Sequence, residues 1–163
     1  MKSAAGTTWG SQPTQFFYSL TPDKVLDAFE GATGTMTTGY CVPLASYENR
    51  VYEVELEQEG PTHTKRKVLK FYRPGRWSRA QIEEEHLFLR DLEEAEVKVV
   101  PPAAFPDGSF LKETPEGIFF CVFPKVGGRA PEDLDADKLK QLGRSLGRLH
   151  MVGRKRKSQH RLT

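Results

Sequence analysis

The chain has 163 residues, 37% of them hydrophobic and 28% charged, with a formal net charge of +2. This suits one soluble domain with its own core, or one lobe of a larger protein plus a linker; no apolar run approaches the ~20 residues of a membrane span and no basic-then-apolar leader opens the chain, so a cytoplasmic protein is expected. Cys41 and Cys121, the only two cysteines, sit in apolar, strand-like text without metal-ligand spacing, and read as buried free thiols rather than a disulfide or a zinc site.

Residues 1–15 are rich in Ser, Thr, Gly and Ala without apolar period, which predicts a disordered leader. Thr21-Pro22-Asp23 then opens a helix, with Thr21 as N-cap, Pro22 in the first position and Val25, Leu26 and Phe29 on one face. Gly31 and Gly34 are expected to end it. The period changes to two over Tyr40 to Leu44 and Val51 to Leu56, two strands joined through the loop 45–50. A turn over Gln58 to Thr64 leads to a third strand, Lys67 to Tyr72, closed by Pro74 and Gly75.

Ser78 and Gln81 form a capping box, and the helix it opens carries Ile82, Glu85, Phe88, Leu89 and Leu92; this helix is expected to cover one face of the sheet. Ser109 to Lys112 and Ile118 to Phe123 flank Thr114-Pro115-Glu116-Gly117, a hairpin turn between a fourth and a fifth strand. Residues 124–133 read as a hinge containing Pro124, Lys125, Val126, Gly127, Gly128 and Arg129. A helix over 134–152 follows, with Leu139, Leu142, Leu146 and Leu149 at helical spacing. Gly143 and Gly147, four apart on it, suggest close approach to another backbone. The tail 153–163 carries Arg154, Lys155, Arg156, Lys157 and Arg161 with no acid, leaving 19 basic (24 less 5) against 22 acidic residues elsewhere. A short basic tail without interleaved aromatics is expected to be solvated, so nucleic acid is an unlikely partner. The fold class is α+β, a five-stranded antiparallel sheet with a packed helix.

Chemistry concentrates on two residues. In the third strand Val68, Lys70 and Tyr72 share one side while Leu69 and Phe71 take the other, so Lys70 is expected to face away from the helix-packed core. On a helical wheel with Ile82 at zero, Glu85 falls at about 300°, between Leu89 at about 340° and Leu92 at about 280°. Glu83 and Glu84 lie off this stripe and read as solvated charges. A carboxylate held toward a core needs a cation, and Lys70 is the available one. Such a strand-lysine to helix-glutamate pair holds the lysine of a kinase against the phosphates of ATP; a purely structural ion pair is the alternative. His150, Trp77 and Tyr72 read first as structural residues, and Arg129 is left open.

Ser46-Tyr47-Glu48-Asn49-Arg50-Val51-Tyr52, Val68 to Pro74 with Arg76-Trp77, Glu84-Glu85-His86, Phe123-Pro124 with Val126-Gly127-Gly128-Arg129, and Leu146 to His150 together resemble, in order, the stress response kinase A family. These are bacterial protein-serine/threonine kinases of the aminoglycoside phosphotransferase and choline kinase-like superfamily. The resemblance implies a protein kinase-like N-terminal lobe over 16–123 and, after the hinge, the first helix of a C-terminal lobe. It implies an ATP site in which Ser46, Tyr47, Glu48 and Asn49 belong to the phosphate-covering loop, Lys70 binds phosphate, and Glu85 pairs with it. Phe123, Pro124 and Lys125 would offer the adenine-binding hinge, bordered by Val68 and Phe120. The same aromatics also read simply as core.

The superfamily's His-Gly-Asp catalytic loop, with its later Asn and its magnesium-binding Asp, has no counterpart: of His63, His86, His150 and His160 none precedes Gly-Asp. No catalytic residue and no metal ligand is therefore expected within these residues, magnesium ligands are expected in a missing C-terminal lobe, and no turnover is expected from this chain alone. For the intact kinase the expected partners are ATP, magnesium and a protein Ser or Thr, with possible self-association through the uncovered last helix. The alternatives are the nucleotide lobe of a small-molecule (choline- or aminoglycoside-like) phosphotransferase and a non-catalytic nucleotide-binding or interaction module.

Overall fold

The computed structural model describes residues 17, 19–58, 64–128 and 133–161; the expected leader, Arg129 and the tip of the turn after Gln58 lie outside them. Helix α1 (Pro22–Thr33) starts as its sequence dictates, with the Thr21 hydroxyl accepting from the Lys24 N–H and Pro22 in the first turn. It stops at Gly34, whose φ of 68° suits glycine and whose N–H closes on the Glu30 carbonyl. Gly31 lies within the helix rather than ending it: a glycine weakens a helix interior, but only the left-handed residue reverses the chain.

Strands β1 (Thr37–Leu44), β2 (Arg50–Leu56), β3 (Arg66–Phe71), β4 (Lys112–Glu113) and β5 (Phe119–Pro124) form one antiparallel sheet in the order β1-β2-β3-β5-β4. β1 begins three residues before the expected Tyr40, since Thr37 already pairs with Leu56 and its N–H and hydroxyl both reach Glu30 Oε1. The fourth strand is shorter and later than expected. Residues 105–109 are drawn into a turn, with the Phe105 N–H on the Ser109 carbonyl, Gly108 at φ 81° and Asp107 accepting from the Ser109 N–H and hydroxyl, so only Lys112 and Glu113 reach β5.

The faces of β3 are covered differently from the expectation. Leu69 and Phe71 belong to the main core with Val25 and Phe29 of α1, Tyr52, Val54, Phe105, Ile118, Phe120 and Val122. The capping-box helix α2 (Arg79–Glu94) lies on the other face, where Ile82 packs with Tyr72, Cys121 and Leu111. α1, not α2, seals the Leu69 and Phe71 face, because the two apolar stripes have separate sheets of side chains to cover. Each buried large aliphatic or aromatic side chain contributes about 1.5–3 kcal/mol relative to exposure. Both cysteines are free, Cys121 buried and Cys41 half-buried.

Helix α3 (Ala136–Gly153) attaches to the rest through its C-terminal half. Arg148 donates to the Ala95 and Glu96 carbonyls at 3.0 and 2.9 Å, satisfying the frayed end of α2, and Val152 is buried. A Cβ on Gly153 would meet the Phe88 ring at 3.6 Å, whereas Gly143 and Gly147 have nothing within 4 Å. Leu139, Leu142 and Leu146 are each about half exposed.

Candidate functional site: a lysine-glutamate pair at the edge of an open sheet face

Cross-strand partners in an antiparallel sheet share a face, so Lys70 stands in a row with Val51, Leu44 and Cys121, and Val68 in a row with Glu53, Val42 and Phe123. This face has two halves. Toward Tyr72 and Cys121 it is covered by α2 and buried. Toward Leu44, Val51 and Val68 it is only half-buried, a ledge apolar apart from Glu53 and, among the described residues, without a helix over it. Lys70 stands at the boundary.

The wheel position of Glu85 is realised. Lys70 Nζ lies 2.9 Å from Glu85 Oε1 and 4.4 Å from the centre of the Tyr72 ring. The side chains are 21% and 24% exposed, so the pair is shielded yet open to a ligand. Burial alone would raise the Glu85 carboxyl, but Lys70, and behind it Arg161, hold it below its ordinary range and keep it ionised.

Behind the pair sits a buried polar chain. Tyr72 Oη lies 2.8 Å from His86 Nε2 and 3.6 Å from Cys121 Sγ, and His86 Nδ1 has no hydrogen-bond partner among the described residues. Burial pushes the Cys121 thiol up to about 12, raises the Tyr72 phenol, and lowers His86 to about 4. These groups are neutral, so the charges on this face are Lys70 at its border and Glu53, in the row of Val68, with its partners Arg66 and Lys125.

The loop between β1 and β2 is tied down on both sides. Ser46 Oγ donates to the Asn49 carbonyl at 2.8 Å, Asn49 Oδ1 accepts from the Arg73 N–H at 3.2 Å, and Glu48 Oε1 accepts from Trp77 Nε1 at 3.0 Å. Arg76 approaches the same Glu48 oxygen at 3.4 Å. Glu48 and Asn49 thus fix the loop to the segment after β3, and Tyr47 is 89% exposed.

Phe123 lies opposite Val68 on the ledge. Phe120, expected to border an adenine, pairs with Phe71 instead, stacks on it at 5.2 Å and is 2% exposed, so it belongs to the core beneath the sheet and cannot border a ligand beside Lys70. Alternation decides this, because two positions of one strand that differ by an odd number point opposite ways. Pro124 still pairs with Lys67 as the last residue of β5. Lys125 turns back onto Glu53, a buried carboxylate that also takes Arg66 at 2.7 Å. The hydrogen bond from Lys125 is the main reason the Glu53 carboxyl lies below its usual range.

Residues 154–157 of the tail are exposed, as expected, but the tail is also tied to α2. Arg156 makes a two-pronged pair with Asp91 at 2.5 and 2.8 Å, and Arg161 Nη2 lies 2.5 Å from Glu85 Oε2. Glu84, expected in solvent, accepts from Ser158, Gln159, His160 and Arg161. Periodicity could not find a contact between positions 76 apart; the signal available was the doublet Glu84-Glu85 set against a tail with no acid. Glu53 was more accessible to reading, since alternation from Val51 puts its charge on the side of Lys70.

Residues 41–163 match the APH phosphotransferase enzyme family. The chain belongs to it. Stress response kinase A of Shigella flexneri is 43% identical over 147 residues, covering 90% of this chain and 42% of that protein. Stress response kinase A of Escherichia coli (strain K12) is 44% identical over 148 residues, with the same coverage of 90% and 42%. The serine/threonine protein kinase RdoA of Salmonella typhimurium is 45% identical over 141 residues, 86% of this chain and 40% of that protein. The chain thus spans about two fifths of the length of the curated relatives it matches. Among solved structures, the amicoumacin kinase hAmiN, in complex with AMP-PNP, Ca2+ and Ami, superposes with a TM-score of 0.71 at 23% identity, covering 84% of this chain and 41% of that one. A microcompartment-associated aminopropanol kinase reaches 0.57 at 24% identity, covering 78% and 40%. These two likenesses show the shared kinase-like fold of the phosphotransferase family. Among the described residues no helix is long and apolar enough to cross a membrane, and no three His, Cys, Asp or Glu residues group as metal ligands.

Proposed function

We propose that this chain forms the ATP-binding lobe of a serine/threonine protein kinase of the stress response kinase A type. The observation that carries the reading is the Lys70–Glu85 pair, 2.9 Å apart, at the border between the helix-covered half of the sheet and its open apolar ledge. A base needs a flat apolar surface beside a place for phosphate. Val51, Val68 and Phe123 offer the first, and Lys70, oriented by Glu85, offers the second. Backbone groups at Pro124 and Lys125 lie at the end of β5 beside Val68 and Phe123, where an adenine edge would reach them. Ser46 and the backbone of Tyr47, held by Glu48 and Asn49, would cover the phosphates.

A Ser or Thr acceptor is favoured by the relative at 45% identity that is named serine/threonine protein kinase RdoA; the small-molecule kinases share only the fold, at 23–24%. The catalytic base and the magnesium ligands would come from the three fifths of the relatives' length that this chain does not span. That same portion would cover the exposed Leu139, Leu142 and Leu146 edge of α3 and the two glycines beside it.

Calorimetric titration of the 163-residue chain with ATP tests the reading. Binding by the wild type and its loss, by at least about tenfold, in Lys70→Ala is expected, since charge-assisted contacts to phosphate contribute about 1.5–3 kcal/mol. Equal affinity in the two proteins would exclude Lys70 from the site.

A further inference from the structure

Residues 158–161 have been given no role in the site, yet Arg161 meets Glu85 directly and, through Trp77, the β1–β2 loop. Three successive backbone N–H groups, of Gln159, His160 and Arg161, converge on the Glu84 carboxylate at 2.6, 3.1 and 2.8 Å, and Ser158 Oγ adds a fourth donor at 2.7 Å. Consecutive amides closing on one anion form a nest, and this one, led by the Gln159 N–H, lowers the Glu84 carboxyl to about 2. Gln81 Nε2 donates to the His160 carbonyl at 3.0 Å, and Arg161 Nε returns a bond to the Gln81 carbonyl at 3.0 Å. The segment is thereby buckled to the first turns of α2.

Arg161 then reaches past α2 in two directions. Its Nη2 takes Glu85 Oε2 at 2.5 Å, the oxygen that Lys70 leaves free, and its guanidinium lies 4.5 Å from the centre of the Trp77 ring. Trp77 in turn holds Glu48 of the β1–β2 loop through Nε1. One side chain therefore braces the carboxylate that orients Lys70 and the indole that holds the phosphate-covering loop. A carboxylate bonded through one oxygen can swing; one bonded through both cannot. A lysine could not replace this arginine, because neither the stack on Trp77 nor the branched donor geometry is available to an ammonium.

We propose that residues 158–161 form a strap across α2 that sets the phosphate end of the nucleotide site, with Arg161 as a positioning residue acting through Glu85. The proposal rests on the nucleotide reading of the Lys70 site.

The test is ATP titration of the full 163-residue chain. Arg161→Ala and Glu84→Ala are each expected to weaken ATP binding about tenfold, although neither side chain is placed to touch the nucleotide, and Arg161→Lys is not expected to restore it. In a Glu85→Gln background, Arg161→Ala should add no further loss, as for residues that act through one another. Full additivity there would put Arg161 on the nucleotide itself and overturn the positioning role, as would unchanged affinity in the single variants. Hydrogen exchange on the same proteins reads the strap without nucleotide: faster exchange over residues 82–92 in Arg161→Ala and Glu84→Ala supports it, and unchanged protection overturns it. If the wild type binds no ATP, the nucleotide reading falls, and only the exchange result decides whether the strap holds α2.

Discussion

The two faces of strand β3 differ in kind although their residues alternate along one six-residue segment. On one side Leu69 and Phe71 are fully buried in a core of residues from α1, β2, β5 and the 105–118 connection, with Arg50 of β2 opposite Phe71. On the other, Lys70 and Tyr72 meet Glu85 and His86 of α2, and the row containing Val68 stays half open. The first face buries large side chains in contact with one another; the second keeps ionised and polar groups partnered, and so pinned, without sealing them. Substitutions on the first should therefore act on folding, and substitutions on the second on binding and pH response.

The strongest break in that contrast is Phe71→Ala. Phe71 is 0% exposed, stacks on Phe120 at 5.2 Å and meets Tyr52 edge-on at 6.0 Å, so truncation leaves a cavity between rings held by two strands and α1. A loss of about 3–5 kcal/mol in urea unfolding is expected. A loss below ~1 kcal/mol would mean that the core collapses around the gap and that this face is less rigid than its packing implies.

The same contrast explains what was legible in the sequence. The caps at Thr21 and Ser78, the alternation in β2 and β3 and the wheel angle of Glu85 are local signals, and each fixed an element or a direction that the fold keeps. Which helix covers which face is not local. Both α1 and α2 carry an apolar stripe, and only the joining of Val25 and Phe29 to one core with Leu69 and Phe71 assigns α1 to that face and leaves α2 beside Lys70. Phe120 was misread for a related reason, because three aromatics so close together obscure which belongs to which face. The tail was invisible, since its partners on α2 lie some 65 to 80 positions away and ion pairs leave no period in the sequence.

A second, intermediate effect sharpens the contrast through pH. His86 is buried on α2 against the Tyr72 hydroxyl, with Cys121 beyond it and Glu85, Lys70 and Arg161 as the charges around it. Burial lowers it from 6.5 to about 4, while Glu85 opposes that shift. Between these values the unfolded chain takes up a proton that the folded chain refuses, so stability falls as pH drops from 6.5 toward 4 and changes no further on this account below that. In His86→Gln the fall over this window should disappear, measured as urea midpoints from pH 7 to 4.5. The depressed Glu84 and Glu85 carboxyls lose their contribution only as pH falls below about 4.5, so the two effects separate. An equal slope in both proteins would remove His86 as the source.

The smallest effect is expected where the chemistry is densest. Lys70→Met deletes the cation of the pair, and removing one partner of a buried ion pair commonly costs about 3–5 kcal/mol because the other charge is left without compensation. Here Glu85 keeps Arg161 on its second oxygen and retains 24% exposure, so water and a guanidinium both remain available to it. Methionine also keeps an apolar side chain of similar length beside the Tyr72 ring. The expected change in unfolding free energy is therefore about 1 kcal/mol or less, against about 3–5 kcal/mol for Phe71→Ala one residue away. A drop comparable to that of Phe71→Ala would show that Arg161 does not hold Glu85 in solution and that the open face carries the fold as much as the sealed one does.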